Sequence, residues 1–352
     1  PFDQPAKASE EEPTMPTRPF GKSGIRVPIL SFGGSLNTSM SPLLLRQAVK
    51  WGVTYWDTAH SYMGGKSEKG IGKYFSKFPE DRKNIFLVTK SHAWTLAGMT
   101  KDLNDSLARM KTDFIDLFFV HSVRDISELD DDTRVWAEKA KAAGKIRLFG
   151  FSTHSNMASC LLGASTLGWI DGIMMTYNYR LMHTDRMKRA VDACAKAGIG
   201  LTAMKTQGGG QVKTNTETEF ELAGRFIKKG YTDAQAKLKA VWENPNIASI
   251  CSEMPNTTIL MANVAAAALI LPIVIPMAQL EGVNPTVIAL CLGLSTSFAM
   301  LLVIGCPPNA ISYSYRYFKA SDLTKAGLVA TPVLLIVLIL VAAVWWKILG
   351  LV

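Results

Sequence analysis

One unit recurs along most of the chain up to residue 263: a short apolar run, a few turn residues, then a stretch with helical spacing. The apolar runs fall at residues 29–34, 54–59, 85–90, 115–121, 148–153, 172–178, 200–205 and 247–253. Nearly continuous apolar runs of this length suit parallel strands buried on both faces, because helices cover both sides of such a sheet. Segments between them, such as 43–51, 103–110, 136–143 and 187–197, place apolar residues at helical intervals. Several stop at a glycine, as at Gly52, Gly144, Gly168 and Gly198. Eight strands in alternation with helices over residues 29–253 predict an α/β fold, a (β/α)8 or TIM barrel. An open doubly wound sheet is the alternative, but no G-x-G-x-x-G follows the first strand.

The rest of the chain reads differently. Mean hydropathy over the 352 residues is +0.14, high for a soluble enzyme, and it averages two unlike parts. Past Asn263 the charged residues are Glu281, Arg316, Lys319, Asp322, Lys325 and Lys347 alone. Apolar runs follow at 265–280, 286–305 and 327–346. The last two have the length of about 20 residues that a ~30 Å hydrocarbon core requires. The first holds Pro272 and Pro276 and reads as re-entrant. Trp345 and Trp346 before Lys347 read as an interfacial anchor.

The sequence thus predicts a disordered leader over 1–14, a barrel over 15–263, and an all-α transmembrane segment over 264–352. That segment would hold two spans and one short helix; the native start is expected at Met15, or the sequence is a fragment. Arg316, Lys319 and Lys325 lie between the two spans, so positive charge places that loop and the barrel in the cytoplasm and the C-terminus outside. The expected localisation is the membrane, held by the C-terminal helices.

Charge and cysteine usage narrow the function. The net charge of +9 is spread over helices rather than clustered, so no nucleic-acid partner is expected. Cys160, Cys194, Cys251, Cys291 and Cys306 are odd in number and lack C-x-x-C spacing. A disulfide framework and a structural zinc site are therefore not expected, and a reducing cytosol suits the barrel. The first residues hold no apolar stretch of the secretory type.

Active sites of such barrels gather at the C-terminal ends of the strands. The second strand ends at Trp56-Asp57-Thr58-Ala59 with Tyr62 just beyond, the third at Lys90 and the fourth at His121. The sixth ends at Tyr177-Asn178, the seventh at Lys205 and the eighth at Ser252. A buried acid, amine and imidazole on neighbouring strands are costly unless paired. One reading is an internal Asp57–Lys90 salt bridge with His121 capping a strand. The other is chemical. An ammonium beside Tyr62 stabilises its phenolate and lowers a pKa that is ordinarily ~10, while a carboxylate fixes the ammonium. A tyrosine that protonates an oxyanion forming on a carbonyl needs a hydride donor opposite, and with no metal cluster in the sequence a nicotinamide is the source.

The same residues carry a resemblance. The segments are Arg18-Pro19-Phe20-Gly21-Lys22-Ser23-Gly24, Ser31-Phe32-Gly33-Gly34, Tyr55-Trp56-Asp57-Thr58-Ala59-His60-Ser61-Tyr62, Val88-Thr89-Lys90 and Asp116-Leu117-Phe118-Phe119-Val120-His121. Over residues 15–263 the chain resembles the aldo/keto reductases. The resemblance implies a catalytic set of Asp57, Tyr62, Lys90 and His121 and a small-molecule carbonyl substrate. It implies NADPH, with NADH left open, lying along the barrel mouth without a Rossmann domain. Cofactor contacts are expected at Ser152, Tyr177, Asn178, Lys205, Gly208, Ser252, Met254 and Asn263. Thr153 stands after Ser152 where many members have Asn, and no Arg or Lys lies between Ser252 and Asn263. Trp56, His92, Trp94 and Tyr179 are expected to line the substrate pocket, and no metal is expected.

The apolar part is similar to the C-terminal end of the divalent-anion:sodium symporters, the sulfate and dicarboxylate carriers. Asn263 with Ala265-Ala266-Ala267-Ala268, Ser297-Phe298-Ala299-Met300, Pro307-Pro308-Asn309-Ala310 and Tyr317-Phe318-Lys319-Ala320-Ser321-Asp322 carry that likeness. It implies a vestigial ion site at Asn263, Pro307, Pro308 and Asn309. The expected function is a carbonyl oxidoreductase tethered by a partial transporter. The alternatives are a transport subunit with a barrel sensor and a non-functional fusion.

Overall fold

Eight strands hydrogen-bond in parallel into a closed barrel. They are β1 (Leu30–Gly33), β2 (Tyr55–Asp57), β3 (Phe86–Ser91), β4 (Ile115–Val120), β5 (Ile146–Thr153), β6 (Gly172–Thr176), β7 (Gly200–Met204) and β8 (Ile247–Glu253). Each pairs with the next in chain order, and β8 closes on β1 through the register Ile250 to Leu30. The helices around them include α1 (Pro42–Lys50), α2 (Lys66–Lys77), α3 (Leu96–Met110), α4 (Asp131–Ala142), α5 (Met157–Leu167), α6 (Asp185–Lys196) and α7 (Asp233–Trp242). The computed structural model describes residues 15–38 and 42–255. The chain divides into two units, Pro1–Asn256 and Thr257–Val352, and the described residues all belong to the first.

Side chains alternate inward and outward along each strand, and this decides which of them can meet. On β2, Tyr55 and Asp57 point into the barrel: Tyr55 Oη lies 3.0 Å from Thr202 Oγ1 on β7, and Asp57 pairs with Lys90 of β3. Trp56, between them, points out to α2. It stacks on Phe75 with ring centroids 5.8 Å apart and donates from Nε1 to the Val53 carbonyl at 2.9 Å. Phe20, Tyr55, Phe86, Val88, Leu117, Phe119 and Met174 belong to the packed interior below the site.

The N-terminal end of the barrel is stoppered. A hairpin of Thr17–Pro19 with Arg26–Pro28 crosses it and carries Phe20, which is fully buried. Added Cβ atoms on Gly172 and Gly200, where β6 and β7 begin, would come within 2.8 and 2.5 Å of the Phe20 ring. Glycine at these two positions is what lets the ring in. Arg18 ties the hairpin to the strand-eight side, donating from Nη1 to the carbonyls of Asn244 at 2.9 Å and Ile247 at 2.7 Å. Side chains of Thr95, Asp130, Thr184 and Thr232 cap the first turns of α3, α4, α6 and α7.

The expected all-α transmembrane segment is corrected. Among the described residues no helix is long and apolar enough to cross a membrane. A crossing needs about 20 residues of continuous apolar helix, whereas α3, with 15 residues, carries Lys101, Asp102, Asp105 and Arg109. The membrane tether, the membrane as partner and the membrane localisation with an outside C-terminus rested on that segment and are corrected with it. The apolar runs that suggested it, at 265–280, 286–305 and 327–346, lie outside the described residues, as does the leader at 1–14.

Candidate active site

Parity and strand ends bring four side chains together. Asp57 closes β2, Lys90 lies near the end of β3, His121 directly follows β4, and Tyr62 stands in the loop after β2. Asp57, Lys90 and His121 are buried, with Lys90 only 1% exposed. The Lys90 ammonium lies 2.6 Å from Asp57 Oδ1 and donates to Oδ2 at 2.7 Å and to the Thr58 carbonyl at 2.8 Å. It also donates to the Tyr62 hydroxyl at 3.3 Å. The Tyr62 ring meets His121 edge-on, with centroids 5.7 Å apart. His92 stacks on His121 at 4.0 Å, and His154 stands 6.4 Å from it.

Burial and neighbours set the charges. Burial lowers the Lys90 ammonium, but opposing influences, the Asp57 carboxylate foremost, outweigh it and hold Lys90 above its ordinary pKa. Burial raises the Asp57 carboxyl against the pull of Lys90. With Nζ 2.6 and 2.7 Å from its two oxygens, the pair is ionic. Burial also raises Tyr62 above the ordinary tyrosine value, and Lys90 pulls against it without prevailing. The lowered phenol expected from the sequence is therefore reversed: removal from water weighs more than one adjacent ammonium that is already paired. Burial, then Lys90, His92 and His154, push His121 down to about 2, so its imidazole is neutral. Its Nδ1 is buried without a hydrogen-bond partner among the described residues.

A cavity of about 420 Å³ opens above this group, lined by Gly33, Asp57, Tyr62, His154, Lys205 and Ser252 among others. A second, of about 480 Å³, shares Lys205 and Gln207 with it and is lined by Thr176, Asn178, Gly208 and Gly209. Lys205, Gly208 and Ser252 thus line one or both of these cavities. Ser152 is buried and accepts from the Ser122 amide at 3.0 Å, bracing the turn after His121. Met254 is fully buried. Asn178 borders the second cavity, but its amide is engaged with the Lys205 carbonyl at 3.1 Å and the Arg180 amide at 3.1 Å. Asn263 lies outside the described residues.

The structure does not bring every expected residue to the mouth. Tyr177 is buried with its hydroxyl accepting from Asn244 Nδ2 at 2.9 Å. Tyr179 is buried among Val212, Ala223 and Phe226, with its hydroxyl taken by Arg180. Trp56 faces α2, and Trp94 is 71% exposed. His92, by contrast, reaches the site through its stack on His121. His154, which is not among the expected residues, reaches it as well; its position just past the end of β5 is the signal for it in the sequence. Ser35, Met174, Met204, Thr206, Gln207, Cys251 and Glu253 complete the lining from strand ends and loops.

Residues 31–270 match the aldo/keto reductase family, and residues 239–352 match the sodium:sulfate symporter transmembrane region. An aldo-keto reductase of Fusarium vanettenii is 25% identical over 234 residues, covering 52% of this chain and 62% of its own length. Solute carrier family 13 member 1 of Homo sapiens is 43% identical over 84 residues, 24% of this chain and 14% of that protein. Among solved structures, an aldo-keto reductase from Bacillus halodurans in its holo form superposes with a TM-score of 0.59 at 21% identity, covering 72% of this chain and 90% of that one. The last likeness shows the fold. The match over residues 31–270 takes in more than half of the sequence, and by it the chain belongs to the aldo/keto reductase family.

Proposed function

We propose that the barrel is a nicotinamide-dependent reductase of an aldehyde or ketone, with Tyr62 as proton donor. The observation that carries this is the Tyr62 hydroxyl 3.3 Å from a buried ammonium that Asp57 holds charged, on the wall of the 420 Å³ cavity. The residues present fit a dinucleotide. Two adjoining cavities give length, the Lys205 ammonium gives positive charge, and a Cβ on Gly209 would meet nothing within 4 Å, leaving backbone open to a pyrophosphate. The nicotinamide, as NADPH with NADH the alternative, supplies the hydride when bound.

The rest falls to this chain. Tyr62 Oη gives its proton to the carbonyl oxygen as the carbonyl carbon becomes an alcohol carbon. Lys90 stabilises the tyrosinate left behind, and Asp57 keeps Lys90 aimed. His121, neutral at working pH, offers a ring N–H to the carbonyl oxygen without bringing a second charge beside Lys90. The test is Tyr62→Phe, assayed with NADPH and NADH against a panel of carbonyl compounds. Turnover is expected to fall by at least ~10²-fold while cofactor binding, followed by fluorescence, is retained. Near-normal turnover overturns the assignment.

We infer separately that the chain from Asn263 onward shares descent with a sulfate or dicarboxylate carrier, with Asn263, Pro307, Pro308 and Asn309 as remnants of an ion site. The match over 239–352 and the short human likeness support this. A peptide spanning residues 261–271 recovered from source cells, or one long read across the junction, is expected. The absence of both overturns a natural joining.

A further inference from the structure

Lys90 is flanked on β3 by Thr89 and Ser91, whose side chains leave the strand on the face opposite the barrel interior. Each begins a separate path to His60, two residues before Tyr62. Thr89 Oγ1 donates to Glu68 Oε1 at 2.7 Å, Glu68 Oε2 takes Arg109 Nη1 at 3.0 Å, and the same Nη1 donates to the His60 carbonyl at 2.9 Å. Ser91 Oγ donates to Asp102 Oδ2 at 2.6 Å, and Asp102 Oδ1 faces His60 Nε2 at 3.6 Å, a contact longer than a hydrogen bond. Asp105, one turn on, stands 3.5 Å from the same nitrogen. A third link is main-chain, from the His60 amide to the Lys90 carbonyl at 2.9 Å.

These paths surround a loop that needs holding. Met63, Gly64 and Gly65 are consecutive left-handed residues, at φ 52, 62 and 82°. Such a run, with a methionine in it, persists only where its surroundings impose it. The Arg109 guanidinium packs on Gly65 so closely that a Cβ there would come within 2.9 Å of Nη1. Glu68 is fully buried, and its two oxygens are taken by Thr89 and Arg109, the pairing that a buried carboxyl group needs.

Resting on Tyr62 as the proton donor, we propose that Arg109 and Asp102 are positioning residues. From outside the barrel, α3 fixes the Tyr62 loop to both neighbours of Lys90 and so sets the Tyr62–Lys90 distance. Neither residue touches the reacting atoms.

The test uses Arg109→Ala and Asp102→Asn in the full chain. Each is expected to lower kcat by about 10- to 100-fold, the scale of a small misplacement of a reacting group. KM for cofactor should stay within about threefold, the scale at which positioning rather than binding is lost. In alcohol oxidation, which needs the tyrosinate, the rise of rate with pH is expected to move upward, because Lys90 no longer pulls on Tyr62. Added guanidinium is expected to restore part of the Arg109→Ala rate. In a Tyr62→Phe background, Arg109→Ala is expected to add little, since both act through one hydroxyl.

A kcat within twofold of wild type overturns the proposal. So does a loss with neither the pH displacement nor guanidinium rescue, which is the pattern of a purely structural defect. Should Arg109→Ala fail to fold, Asp102→Asn, close in size and on a part-exposed helix face, decides by the same kinetic and pH readouts. If Tyr62→Phe itself keeps its turnover, the reaction assignment falls; if it is inactive and Arg109→Ala is normal, the positioning role alone falls.

Discussion

The Lys90 ammonium lies within 2.7 Å of both oxygens of Asp57, on neighbouring strands and out of reach of solvent. Removing one member of such a pair strands the other charge, at a cost of about 3–5 kcal/mol. Asp57→Asn and Lys90→Met are each expected to lose stability on that scale by urea unfolding. The double substitution is expected to lose much less than their sum. Additive losses would show that the two do not act as a pair.

His121 makes a pH prediction. Its folded-state value of about 2 lies below the ordinary ~6.5 of an unfolded histidine. The unfolded chain therefore binds the extra proton first, and stability present at neutral pH is lost as pH falls from about 6.5 toward 2. His92 and His154, both lowered first by burial, act in the same direction. Thermal unfolding is expected to show a shallower acid decline for His121→Gln than for the parent; parallel declines would remove His121 as a cause.

Trp56 tests the parity argument. Its ring is in the helix layer, so Trp56→Phe is expected to leave kcat and KM within about twofold and to cost about 1–2 kcal/mol through lost packing and its bond to Val53. A change of carbonyl preference would place the ring in the pocket after all.

Gly200→Ala puts a methyl group 2.5 Å from the Phe20 ring. Overpacking of this kind costs about 1–3 kcal/mol. Phe20→Leu, which shortens the opposing side chain, is expected to recover part of the loss in the double variant. Thermal denaturation reads both, and equal effects of Gly200→Ala with and without Phe20 would exclude the clash.

Asp57, Lys90 and His121 were legible because strand ends and a two-residue alternation together fix a direction. The same rule, applied one residue earlier, sends Trp56 outward, so its place in the helix layer was legible too. Tyr177 and Tyr179 were not: their burial depends on Asn244 and on the Phe226 cluster, elements distant in the chain. His154 needed only equal attention to the fifth strand end. The Glu68–Arg109 link joins residues 41 positions apart with no local pattern to announce it.

The Phe20 stopper makes this barrel single-ended. If Tyr62 is the proton donor proposed above, the proton that returns to it after each turnover shares one doorway, the mouth where Tyr62 stands, with the product. Departure of the alcohol and resetting of the acid become one event in space, and an ill-fitting product would delay both.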